Sequence, residues 1–335
     1  MNRKRWTALA IAAALFIMSV LVNTIGALLS DEAGTWSENW LTLMEEPFSE
    51  EVVEDGDPLQ KIAVLEVSGV IEEAAEADAL LASPLYNHQT FLQMIRQVKE
   101  DDDVKAVVLR INSPGGGVAE SAEIHDQLLK LKNETKKPIY VSMGAMAASG
   151  GYYIATAGDK IFASPETITG SIGVIMQSLN YEQLAKKYGV ELVTIKSGPY
   201  KDIMNPARKM TDAERDILQR LINQSYEAFV DVIAEGRKLP EETVRKLADG
   251  RIYDGRQAKA LRLIDELGYL DDAIAALKKE HRLADAQVVK YVSGAPWSSL
   301  FALASSKAKP DSEAAELLRL LSQPSSPRLM YLYAE

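Results

Sequence analysis

Ser149 lies in Gly144-Ala-Met-Ala-Ala-Ser149-Gly-Gly-Tyr-Tyr-Ile154, a serine between small residues and a glycine pair. A serine hydroxyl attacks poorly unless a base takes its proton. The chain's histidines, His88, His125 and His281, lie outside the segment where a histidine base is most readily recognised. Lysine becomes the leading base. Lys201, in Lys196-Ser-Gly-Pro-Tyr-Lys201-Asp-Ile-Met204, follows a Gly-Pro turn able to aim its amine into a cleft, so the pair reads as a Ser/Lys hydrolase. An ordinary ammonium is protonated at neutral pH, so the role requires burial, which disfavours the charged form. The competing readings are a surface Lys201 paired with Asp202, a merely small Ser149 at a helix start, and Lys196 as an alternative base.

The second chemical motif is Ile111-Asn-Ser-Pro-Gly-Gly-Gly-Val118, where a strand gives way to a helix. Three glycines permit positive φ and leave backbone N–H groups uncovered, a geometry suited to an oxyanion or a phosphate. The run lacks the Gly-Lys-Ser/Thr ending of a phosphate-binding loop and the spacing of a dinucleotide fingerprint. Pairing with Ser149 favours the oxyanion, held by Gly115 or Gly116 together with the N–H of Gly150.

These loops need rigid supports. Short β-branched runs at 61–67, 104–112, 138–142, 160–163 and 192–195 alternate with helical patterns near 90–100, 118–132, 149–157 and 180–188. That alternation predicts an α/β fold with parallel strands and crossover helices. A longer helix opens on the capping box Thr211-Asp-Ala-Glu214, carries Ile217, Leu218, Leu221, Ile222, Tyr226, Phe229, Val230 and Ile233 on one stripe for packing, and stops at Gly236. Asp254 and Asp265 read as capping or backbone-tying groups, and His125 as a structural residue.

Taken together, Ile111–Gly117, Ala147-Ala-Ser-Gly-Gly-Tyr-Tyr153, Thr169-Gly-Ser-Ile-Gly173, Gly198-Pro-Tyr-Lys-Asp202, Gly250–Arg256 and Leu263–Gly268 closely resemble the signal peptide peptidase A family of bacterial membrane serine proteases. The resemblance covers about residues 58–285. It implies a Clp-protease/crotonase-like fold, Ser149 as nucleophile, Lys201 as general base and Ser171 as the serine that hydrogen-bonds the lysine. It further implies hydrolysis of leftover signal peptides. The chain resembles the short, single-repeat form, for which a homo-oligomeric ring is expected, with one chain's Ser149 meeting a neighbour's Lys201. Two rival readings are a crotonase-like acyl-CoA hydratase or isomerase and a non-catalytic membrane scaffold.

The N-terminus suggests a location. After Asn2-Arg-Lys-Arg5, an apolar stretch over residues 6–30 would span roughly 36 Å as a helix, enough for a bilayer core. Residues 1–30 therefore read as a single-pass anchor contacting membrane lipid, with a cytoplasmic N-terminus and an extracytoplasmic catalytic domain. Residues 31–57 are acidic, lack Lys and Arg, and read as a solvated linker; 58–285 form the protease domain, and 286–335 an assembly segment and tail. A net charge of −11 argues against a nucleic-acid surface, and the absence of cysteine excludes thiol catalysis and disulfides. No metal or cofactor is expected. Pro324 and Pro327 extend a tail whose apolar residues, Leu329 to Ala334, fit either of two readings: entry into the protein's own groove as an added strand, or a disordered terminus.

Overall fold

Four of the five β-branched runs, all but 192–195, assemble into the centre of one sheet. The computed structural model describes Phe16, Met18 and residues 48–73, 86–293 and 328–333. Its main strands are β1 Phe48–Glu54, β2 Asp57–Ser68, β3 Val104–Ser113, β5 Ile139–Ala148, β6 Lys160–Ala163, β9 Glu266–Leu267 and β10 Ala286–Ser293. They lie in the order β1-β10-β2-β3-β5-β6-β9, parallel throughout except for the antiparallel edge β1. Two short strands, β7 Ile168–Gly170 and β8 Ile252–Tyr253, extend from the end of β5.

Parallel strands joined by crossover helices are covered on both faces, which is why they read as continuous apolar runs. Alternate residues divide between the faces. Ala63, Leu65, Val107, Leu109, Ile111 and Val141 pack against helices α1 His88–Glu100 and α2 Val118–Thr135. Ile62, Val64, Ala106, Val108 and Tyr140 face Ala273, Ile274 and Leu277 of a helix spanning Leu270–His281. The remaining helices are α3 Gly150–Ala155, α4 Glu182–Lys187, α5 Asp212–Arg237, α6 Glu241–Leu247 and α7 Gly255–Ala260, with Leu270–His281 as α8.

The observed fold is the expected α/β class, with three local differences. Leu192–Ile195 is not a strand: it has no sheet partner, and Val193 and Ile195 are exposed, the latter at 98%. No strand among the described residues pairs with it. Phe48–Glu54, acidic enough to read as linker, is instead β1, held by Phe48 packing on Tyr291 and by pairing with β10. Helix α5 ends at Arg237, with Lys238 in the left-handed conformation, rather than at Gly236. Apart from Phe16 and Met18, the expected membrane helix lies outside the described residues, among which no helix is long and apolar enough to cross a membrane.

Candidate active site

Strand β5 delivers Ser149 to the top of the sheet and α3 starts immediately after it. The serine has φ 51 and ψ −115, donates its N–H to the Gly170 carbonyl at 2.8 Å, and accepts from Tyr153 N–H through its own carbonyl at 2.8 Å. It is 1% exposed, and its Oγ has no hydrogen-bond partner among the described residues. The parallel register Ala147↔Thr169 and Ala148↔Gly170 ends one residue before Ser149 on one strand and Ser171 on the other. Ser171 also has positive φ, is 8% exposed and anchors its N–H on the Arg251 carbonyl at 2.8 Å. A cleft of about 480 Å³ opens beside Ser171 and is lined by Ile175, Tyr226 and Asp249.

The glycine loop converges on the same place. Strand β4, Gly115–Gly117, follows a turn in which Ser113 Oγ accepts the Gly115 N–H at 3.0 Å. A Cβ built on Gly115, where φ is +101, would stand 2.6 Å from the Gly150 nitrogen. A Cβ built on Gly150 would stand 3.1 Å from the Gly116 nitrogen. The three glycines chosen from sequence are thus brought together, and side chains on them would fill the space between the amides.

That space is occupied by the protein's own C-terminus, the first of the two readings of the tail's composition. Residues Met330–Leu332 form β11, antiparallel to β4 with Tyr331 opposite Gly116. Val118 N–H donates to the Leu329 carbonyl at 3.2 Å and Tyr333 N–H to that of Pro114 at 2.9 Å. Gly116 and Tyr331 lie midway between these bonds, at a hydrogen-bonded position of the ladder. The Tyr331 carbonyl oxygen is 3.1 Å from the point a Gly150 Cβ would occupy and 2.1 Å from that of Gly115. On the other side of the tail, Met330 and Ile175 exchange two 3.0 Å backbone hydrogen bonds.

The Tyr331 side chain fills a pocket that the sequence did not reveal. Its ring stacks on Tyr153 with centroids 5.1 Å apart and meets Phe229 at 4.5 Å, while its hydroxyl donates to the Ser225 carbonyl at 2.8 Å. Burial raises its phenol pKa well above the ordinary value. Phe229 belongs to the predicted α5 stripe, so part of that stripe is a pocket wall. No periodicity separates a pocket wall from core.

Lys201 is not brought to Ser149 within the protomer. Its side chain is exposed, and the unpartnered Ser149 Oγ accepts nothing from it. Nor does Asp202 pair with Lys201. It binds Lys196 at 2.6 Å and takes two hydrogen bonds from Arg208, at 2.8 and 2.9 Å. Arg208 also grips Glu214, the capping-box residue of α5, so the loop carrying Lys201 is clamped to the start of that helix. Hydrogen bonds from Arg208 and the Thr211 N–H hold the Glu214 carboxyl down to about 2. The spacing of Asp202, Arg208 and Glu214 carries no helix or strand period, which is why sequence reasoning missed the clamp.

The histidines are used elsewhere. His88 is buried between the Tyr86 hydroxyl and Glu123, at 2.7 and 3.0 Å, His125 packs edge-on against Tyr153, and His281 against Tyr140.

A buried serine at a strained strand-to-helix turn, a tail threaded as a strand and facing amides at its carbonyl define a serine protease built on a Clp-like α/β fold. The Clp protease family model matches residues 80–177 and that of peptidase family S49 matches 131–284. The chain is 44% identical to the "Putative signal peptide peptidase SppA" of Enterococcus faecium over 87% of its own length and 85% of that protein's. It is 42% identical to the "Putative protease slr0021" of a Synechocystis strain, over 64% of this chain and 72% of that one. With "Protease 4" of Salmonella typhi it shares 37% identity over 64% of its length but only 34% of the relative's. The chain belongs to peptidase family S49.

Proposed function

We propose that the protein is a membrane-anchored Ser/Lys endopeptidase that degrades remnant signal peptides and similar hydrophobic peptides. The observation that carries this reading is the tail: a hydrophobic segment lies beside Ser149 as an added strand, its Tyr331 carbonyl directed at the glycine amides. In a substrate so placed, Ser149 Oγ attacks the carbonyl carbon and its proton passes to a neutral lysine amine. The oxyanion is held by the N–H groups of Gly116 and Gly150, with Gly115 leaving room for it. The lysine then protonates the leaving amine, and water releases the acyl group from Ser149. In this reading Ser171, which follows β7 as Ser149 follows β5, orients the lysine.

Lys201 is exposed in the protomer, whereas a lysine base requires desolvation. The apolar residues around it are exposed as well: Leu179, Leu184, Val190, Leu192, Val193 and Ile195. A neighbouring copy in a homo-oligomeric ring would cover this segment and receive Lys201 at its own Ser149, by way of the cleft beside Ser171. Residues 6–30 supply a single-pass anchor in the cell membrane, with the catalytic domain outside the cytoplasm. The peptidase family match supports this reading over acyl-CoA chemistry or a silent scaffold.

Full-length protein in detergent, assayed on a fluorescence-quenched peptide of the tail sequence, tests the assignment. Ser149→Ala and Lys201→Ala are each expected to lower kcat at least 1,000-fold, on the order of other nucleophile and base deletions, with assembly intact. Near-normal turnover in either variant overturns the dyad.

A further inference from the structure

Two buried side-chain oxygens among the described residues have no hydrogen-bond partner, Ser149 Oγ and Ser121 Oγ. The first is explained by its proposed attack on substrate. Ser121 is fully buried on the first turns of α2, and a serine there ordinarily donates back to the carbonyl four residues earlier. Ser121 does not donate to Gly117 or to any other group. Leaving a buried hydroxyl unpaired is costly, so its position calls for a reason.

The reason lies in what surrounds it. A Cβ on Gly150 would stand 2.5 Å from Ser121 Oγ, 3.1 Å from the Gly116 nitrogen and 3.1 Å from the Tyr331 carbonyl oxygen. The unpaired hydroxyl, an oxyanion amide and the carbonyl of the bound strand all surround one point next to Gly150. With a planar carbonyl in the groove, the ladder bond from Gly116 is made and Ser121 stays unsatisfied. When Ser149 adds to the carbonyl, the carbon becomes tetrahedral and the oxygen, now charged, moves out of the old carbonyl plane.

We infer that Ser121 supplies a third donor to the oxyanion, its O–H bond formed only after the carbonyl has been attacked. The Ser121 proton stays on its own oxygen throughout; the Ser149 proton still goes to the lysine. A bond absent in the ground state and present in the transition state raises kcat without tightening substrate binding. The proposal rests on Ser149 being the nucleophile.

The test compares Ser121→Ala with the unsubstituted full-length protein on the quenched tail peptide. The expected result is a kcat lower by tenfold or more, with KM unchanged within twofold. Thermal stability should be equal or higher, because alanine removes an unpaired buried hydroxyl. A peptide aldehyde, which forms a tetrahedral adduct with Ser149, should bind at least tenfold more weakly to Ser121→Ala, while the uncleaved tail peptide competes equally well in both proteins. Any smaller loss of kcat, or unchanged aldehyde affinity, overturns the inference. Should Ser121→Ala fail to fold, Ser121→Cys preserves the shape with a poor donor and is read by the same thresholds. Ser149→Ala run alongside separates the two claims: an active Ser149→Ala removes the protease reading, whereas an inactive one beside a fully active Ser121→Ala removes only the role of Ser121.

Discussion

The carbonyl oxygen of Tyr331 lies 2.1 Å from the point where a Cβ on Gly115 would stand. The glycine and the tail strand therefore share one volume, and a peptide carbonyl enters it only because residue 115 has no side chain. Gly115→Ala should lower kcat at least 100-fold on the tail peptide, in line with loss of an oxyanion site. It should also cost more than about 1 kcal/mol of stability, because φ +101 disfavours alanine. Steady-state kinetics and thermal melts check both parts, and wild-type turnover would show that the carbonyl binds elsewhere.

With Ser149 as the nucleophile, the register of β11, Tyr331 opposite Gly116, predicts cleavage at Tyr331–Leu332. On prolonged incubation, intact-mass spectrometry should find protein ending at Tyr331, and Ser149→Ala should keep Leu332 to Glu335. Deleting residues 328–335 should lower the apparent KM for an added peptide roughly tenfold by removing a tethered competitor. Deletion should also lower the melting temperature, since the tail fills the pocket of Tyr153 and Phe229. An unchanged KM would mean that the tail leaves the groove freely.

If the dyad is completed between chains, inactive Ser149→Ala and inactive Lys201→Ala proteins should restore activity when their subunits are mixed. Random exchange in a ring should return roughly a quarter of the wild-type rate, because one interface in four then pairs two intact residues. Turnover after verified exchange is the measurement, and complete inactivity of the mixture would place both residues of the dyad in one chain.

His125 gives the fold a pH dependence of its own. Burial, with Lys132 adding to it and Asp126 opposing, lowers its pKa from 6.5 to about 4. The unfolded chain therefore takes up the proton first, and stability is lost as pH falls from about 6.5 towards 4. His125→Phe, which keeps an aromatic ring against Tyr153, should remove that loss, a difference of about 3 kcal/mol at most by pH 4. Denaturant melts of both proteins at pH 7 and pH 4.5 check the sign: equal losses would mean that His125 titrates normally.

Much of this was legible because the strands are buried on both faces and the catalytic loops carry glycines. Apolar runs such as Ala106–Leu109 announce a parallel sheet, and Ser149, Ser171 and the glycines of 115–117 sit in motifs with few other uses. The tail's path into the groove was only one of two readings that its extended, apolar composition allowed, the other being a disordered terminus. Other features depend on long-range contacts. Val193 and Ile195 look like a strand because β-branched side chains suit one, yet no strand among the described residues pairs with them. Phe48–Glu54 looks like solvated chain because its acidic residues point outward, while its strand character comes from β10, more than 230 residues away in sequence. The role given to Ser121 rests on a missing partner, and sequence does not record which hydrogen bonds are absent.

The backbone of Ser149 has a consequence for how this protein can change. At φ 51 and ψ −115 it holds a conformation natural to glycine and costly, by roughly 1–3 kcal/mol, to any residue with a Cβ. Glycine at this position would relieve that cost while removing the proposed nucleophile. Lineages or libraries screened for heat resistance alone should therefore drift towards an inert protein at this codon, and only selection for turnover keeps the serine in place.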